Sequence, residues 1–80
     1  MVEPISEYKY AGNFVKVFQN RIEFGTFIKK EMIVFRNISS IEANPLIAGL
    51  TIKTNDGKKY TIPVSLTEKS KLKGEIEERL

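Results

Sequence analysis

Two alternating runs, residues 49–54 and 58–63, flank Asn55-Asp56-Gly57, and no other stretch restricts the fold as tightly. Alternation of apolar and polar side chains is the period of a half-buried strand, and Asp-Gly between two such runs marks a hairpin. Matching the faces then sets the register. A two-residue loop at Asp56 and Gly57 places Ile52 against Thr61 and mixes the two sides. A three-residue Asn55-Asp56-Gly57 loop pairs Leu50 with Ile62, Ile52 with Tyr60 and Thr51 with Thr61. Gly57 then occupies the left-handed position of a turn-plus-bulge hairpin. The cost is Lys53 directly opposite Lys59 on the outer face. Tyr60 points inward in this register.

The same test applies upstream. Between Phe14 and Phe24, a two-residue loop at Gln19 and Asn20 pairs Val17 with Ile22, Val15 with Phe24 and Lys16 with Glu23. Asn20 tolerates the positive φ that such a loop favours. Phe14 and Phe18 then share the outer face with charged residues. The second strand is expected to run through Phe27 and Ile28 to a turn at Lys29 and Lys30, returning over residues 31–35. That pairing sets Phe24 opposite Phe35, Thr26 opposite Ile33, and Phe27 opposite Met32 on the outer face beside Val34. Two lysines make a poor two-residue turn, so a longer loop with a shifted register is the alternative. Gly25 within a strand suggests a bulge or bend. A further short strand is expected over residues 39–43, ended by Asn44 and Pro45 because proline lacks the ladder N–H.

At the C-terminal end, Ser65 and Glu68 have the spacing of a capping box, and Leu72, Ile76 and Leu80 form an apolar stripe at i, i+4 and i+8. Gly74 costs about 1 kcal/mol relative to alanine in a helix, so it either permits close approach to a sheet or is merely tolerated. The whole is one domain over residues 1–80: an arm or short edge strand at 1–12, strands at 13–64 and a helix at 65–80.

Curled antiparallel strands closed by one C-terminal helix resemble the pleckstrin-homology-like barrel. More specifically, residues 15–24, 35–41 with their Ile38-Ser39-Ser40-Ile41 step, 50–62 and the terminal helix resemble the short bacterial and archaeal pleckstrin-homology domains. The resemblance covers residues 12–80. It implies a mainly β fold: a curled antiparallel barrel of six or seven strands, capped by the helix at one open end. Six strands are legible, and residues 7–10 are the candidate for a seventh. It also implies a binding or assembly module, some of whose relatives form ring-like oligomers.

Composition narrows the chemistry. The 80-residue chain contains neither Cys nor His, which removes thiolates, the commonest metal ligand and the commonest general base. Asp56, the only aspartate, is used by the turn, and Glu75 with Glu78 reads as part of a solvated charged face among Lys69, Lys71, Lys73 and Arg79. No glycine loop suited to phosphate is present. The expectation is therefore no enzyme, no cofactor, no metal site and no small-molecule substrate. No apolar run approaches the roughly 20 residues of a membrane span, and the acidic N-terminal stretch lacks the order of a signal peptide, so a cytoplasmic setting is the default.

Three classes of partner remain. A protein partner, or a second copy of the chain in a homo-oligomer, fits an outer apolar face made of Phe14, Phe18, Phe27, Met32 and Val34. Cover by the N-terminal arm or by the helix, or a register slip of one residue, would account for the same residues. An anionic membrane surface is the alternative, contacted through Lys29, Lys30, Lys58 and Lys59 at about 1 kcal/mol each. In a simple meander these two basic turns fall at opposite ends, an objection that orthogonal sheets relax. Nucleic acid would need Lys9, Lys53 and Lys59 to join Tyr8 or Tyr10, and the net charge of +3 argues against it.

Overall fold

Valine, isoleucine and aromatic residues at alternate positions bury one face of each short strand, and those faces meet in a single core. The computed structural model describes residues 3–44 and 46–80. The elements are β1 (Ser6–Tyr10), β2 (Asn13–Val17), β3 (Arg21–Gly25), β4 (Lys30–Val34), a 3-10 turn (Phe35–Asn37), β5 (Ile38–Glu42), β6 (Leu50–Thr54), β7 (Lys59–Ile62) and α1 (Leu66–Glu77). Strands β1 to β4 form one antiparallel meander in sequence order, and β5 to β7 form a second. Val15, Val17, Ile22, Leu50, Ile52, Ile62, Val64, Leu72 and Ile76 are fully buried between them. The N-terminal segment is thus a paired strand from Ser6 onward, which supplies the seventh strand. Residues 1 and 2, and the Pro45 half of the expected Asn44-Pro45 stop, lie outside the described residues. Among the described residues no helix is long and apolar enough to cross a membrane.

Both hairpin registers read from face matching hold. Val17 pairs with Ile22 and Val15 with Phe24, while Leu50 pairs with Ile62 and Ile52 with Tyr60. Gly57 has φ +87°, and Asp56 locks the loop by accepting from the Thr54 hydroxyl and from the Lys58 N–H (3.3 Å). Asn20, by contrast, does not take a positive φ; among the described residues only Ala11 does so without being glycine. The Asn20 carbonyl instead accepts from the Phe35 N–H (3.0 Å), which carries the β3–β4 ladder past Arg21.

The β3–β4 connection differs from the expected turn at Lys29 and Lys30. Lys30 pairs back with Gly25, Phe24 with Glu31 and Ile22 with Ile33, so the loop is the four residues 26–29. Thr26 closes it: its N–H donates to the Lys29 carbonyl (2.8 Å), and its hydroxyl oxygen accepts from the N–H groups of Ile28 and Lys29. Gly25 is the neck of this loop. Its φ is +134°, and a Cβ there would lie 2.2 Å from the Lys29 carbonyl oxygen, so only glycine fits.

The helix covers one corner of the core. Leu72 and Ile76 enter it, but the third buried position on this face is Lys69 rather than Leu80, which lies beyond the end of the helix and is 62% exposed. The Lys69 ammonium donates to the carbonyls of Asn44 and Ile47 in the β5–β6 connection. On the other flank Glu75 accepts from the Ser6 and Tyr8 hydroxyls of β1. Glu75 is therefore tied to β1 rather than solvated beside Glu78. Ser65 does not accept from the Glu68 N–H as in a capping box; its hydroxyl donates to the Glu68 carboxylate (3.2 Å). Gly74 faces open space, so it permits no close approach and is simply tolerated.

Candidate functional site

The corner away from the helix lies between β4 and β7. Backbone alternation decides what its rims offer. Because Asn20 with Phe35 and Thr26 with Lys29 are hydrogen-bonded pairs of the β3–β4 ladder, Ile22 with Ile33 and Phe24 with Glu31 are too. The N–H and C=O groups of Met32 and Val34 consequently point away from β3. On β7, the Thr54 N–H donates to the Lys58 carbonyl (3.0 Å), which turns Tyr60 toward β6 and leaves the main-chain groups of Lys59 and Thr61 facing outward. Two strand edges therefore flank the corner.

A cleft of about 340 Å³ opens at the Val34 end, lined by Met32, Ile33, Val34, Asn37, Thr54, Asn55, Asp56 and Tyr60. Tyr60 makes an edge-to-face contact with Phe24 beneath the strands, with ring centroids 6.1 Å apart at 80°. The β6–β7 turn is anchored beside it, since the Asn55 N–H donates to the Asn37 carbonyl (2.8 Å). Toward the start of β4 a second depression is lined by Asn13, Phe24, Gly25, Thr26, Lys29, Glu31, Thr61 and Pro63. The two depressions place β4 and β7 antiparallel along one seam. Lys29 and Lys30 stand at one end of it, and Lys58 and Lys59 at the other. The Asp56 carboxyl is held below its ordinary value by the Thr54 hydroxyl and the Lys58 N–H, so it is a committed acceptor within the turn.

The five residues expected to share one outer apolar face are divided. Phe18 is only 5% exposed, with the Arg21 guanidinium 4.1 Å from its ring centroid, so it presents no free surface. Phe14 is half-buried with the Lys16 ammonium over its ring at 5.6 Å. Phe27 lies at a loop tip rather than opposite Met32 on a strand; it is 95% exposed and its neighbour Ile28 83% exposed. Met32, 54% exposed, and half-buried Val34 belong to the cleft. The expected Lys16–Glu23 pairing exists in register, but the ion-pair partners of Glu23 are Arg21 (2.9 Å) and Lys30 (3.5 Å). Burial alone would raise the Glu23 pKa; these two cations outweigh it and hold the carboxyl below its usual range.

Of the aromatics considered for nucleic acid, Tyr8 is buried in the core and its hydroxyl is bound to Glu75, which leaves no ring face for a base. Face matching missed Lys69, which no local pattern distinguishes from a surface lysine, and the shared seam of the two lysine pairs, which depends on how the sheets pack. Comparison of the chain with protein-family models, with curated proteins and with solved structures gave no match.

Proposed function

We propose that the chain is a non-catalytic protein-binding or self-association module of the pleckstrin-homology-like type. Sheets of four and three strands with a C-terminal helix across one corner support the barrel reading. The observation that carries the functional reading is the β4–β7 corner, where outward main-chain groups border a cleft with Met32, Val34 and Tyr60 on its apolar side and Asn37, Asn55 and Asp56 on its polar side. An open strand edge beside apolar surface is a template for pairing with another chain. The carboxylates of Asp56 and Glu75 are engaged in holding a turn and a helix, which supports a non-catalytic role. The test is light scattering over a concentration series with Val34→Glu as control. Self-association predicts a mass that rises with concentration and falls to the monomer in the variant at unchanged melting temperature. A wild type that stays monomeric to millimolar concentration removes self-association and leaves only a separate protein partner, which peptide titration tests.

A second reading rests on a different observation. The 26–29 loop presents Phe27 and Ile28 outward beside Lys29 and Lys30, an arrangement suited to an anionic membrane surface. Co-sedimentation with acidic vesicles should be lost in both Phe27→Ser/Ile28→Ser and Lys29→Glu/Lys30→Glu. Binding that survives either change eliminates this reading.

A further inference from the structure

We infer that the β4–β7 seam accepts an extended peptide with an apolar centre and acidic residues at both ends, added as a strand along β4. This rests on the binding-module reading and names its partner. Three observations converge. First, the outward N–H and C=O groups of Lys30 and Met32 and the outward N–H of Val34, whose carbonyl caps the 3-10 turn, form the alternating donor and acceptor row that an added antiparallel strand requires. Secondly, the side chains beside that row, Met32, Val34 and Tyr60, form the apolar side of the cleft that opens toward the Val34 end, whose other side is Asn37, Thr54, Asn55 and Asp56.

Thirdly, the charges are arranged by position. Lys29 and Lys30 mark one end of the seam and Lys58 and Lys59 the other, separated by the length of β4, about 16 Å for five residues at ~3.3 Å each. Two carboxylates lie along the same seam and oppose this field. Glu31 lines the depression at the Lys29 end, and Asp56 the cleft at the Lys58 end. Asp56 is already occupied by Thr54 and the Lys58 N–H, and Glu23 shares Lys30 with Arg21 on the outer face. With Arg21, Lys29 and Lys30 set against Glu23 and Glu31 at one end, and Lys58 and Lys59 against Asp56 at the other, each end keeps one positive charge on balance, whereas Met32, Ile33, Val34, Tyr60 and Thr61 between them are uncharged. A five- to seven-residue strand with terminal glutamates matches that sequence of basic, apolar and basic surface. Electrostatic matching of this kind fixes register and orientation.

The probe is a blocked, fluorescein-labelled heptapeptide of alternating valine and threonine with glutamate at both ends, titrated with the full chain and followed by anisotropy. Saturable binding is expected, weakened about tenfold or more when lysines replace the terminal glutamates or when Lys30→Glu/Lys59→Glu is introduced. Peptides N-methylated at alternate residues form two isomers, of which the one whose blocked amides face β4 should lose binding. Met32→Pro should abolish binding while keeping the β3–β4 ladder, because the Met32 N–H does not face β3. Should that variant fail to fold, the N-methyl pair answers the same question on an unaltered protein. Equal binding of the lysine-ended peptide, or indifference to both N-methyl isomers, overturns the inference. No peptide binding together with Val34-dependent oligomers overturns it while leaving the association reading intact. No binding and no oligomer defeats both.

Discussion

The helix-covered corner and the β4–β7 corner pose the same structural problem, a gap between two curled sheets, and they meet it differently. At the first, α1 inserts Leu72 and Ile76 at zero exposure and ties itself to both flanks. Glu75 reaches the Ser6 and Tyr8 hydroxyls, and Lys69 reaches the carbonyls of the β5–β6 connection. At the second, the only ring-to-ring contact among the described residues is Phe24 with Tyr60, and the main-chain edges on both sides face outward. One corner is sealed by buried side chains and by hydrogen bonds from the helix to β1 and to the β5–β6 connection, and it contributes stability. The other leaves backbone groups and apolar side chains facing outward, and the proposed binding role rests on that difference.

Substitutions at the two corners should therefore separate sharply. Ile76→Ala removes a fully buried side chain and is expected to cost about 2–5 kcal/mol in urea unfolding, against within about 0.5 kcal/mol for Met32→Ala on the open rim. Comparable losses at both positions would mean that the β4–β7 corner is as closed as the other. Lys69→Ala should cost about 2–3 kcal/mol, since two carbonyls lose an ammonium donor, and thermal denaturation with Lys71→Ala as a surface control measures it.

A pH experiment sharpens the same contrast. Burial, reinforced by the Glu75 hydrogen bond and charge, pushes the Tyr8 hydroxyl above its ordinary pKa. An unfolded tyrosine ionises near pH ~10. The raised folded value means that its contribution is fully present below pH ~10 and is lost as pH rises from there toward the folded pKa. Alkaline unfolding curves should show this loss, and Tyr8→Phe should flatten it. The smallest effect is a gain: Gly74→Ala, which meets open space on the outer side of the helix, should stabilise by about 0.5–1 kcal/mol.

What could be read from the sequence was local. The Val17–Ile22 and Ile52–Tyr60 registers were legible because each is set by a short loop and by like faces meeting across it. The β3–β4 register was not, because it pairs buried Phe24 with exposed Glu31 at a sheet end where matching loses its force. Gly25 was recognised as a bend, but that the four-residue loop needs it follows only from the Lys29 carbonyl packed against it. Phe18 has the parity of an outer-face residue and is nonetheless buried, with Arg21 over its ring. The open corner was only half legible. Its residues were named, Met32 and Val34 among the apolar candidates and the two lysine pairs among the basic ones. Their meeting along one seam depends on the packing of the sheets, which no local pattern encodes.

Amide hydrogen exchange in dilute solution tests the open corner most directly. If β4 is a free edge, the amides of Glu31 and Ile33, bonded to β3, should be protected, whereas those of Met32 and Val34 should exchange near the unfolded rate and gain protection when the acidic peptide is added. Protection of Met32 and Val34 equal to that of Ile33 in the free monomer would show that the corner is already closed and would contradict the binding role assigned to it.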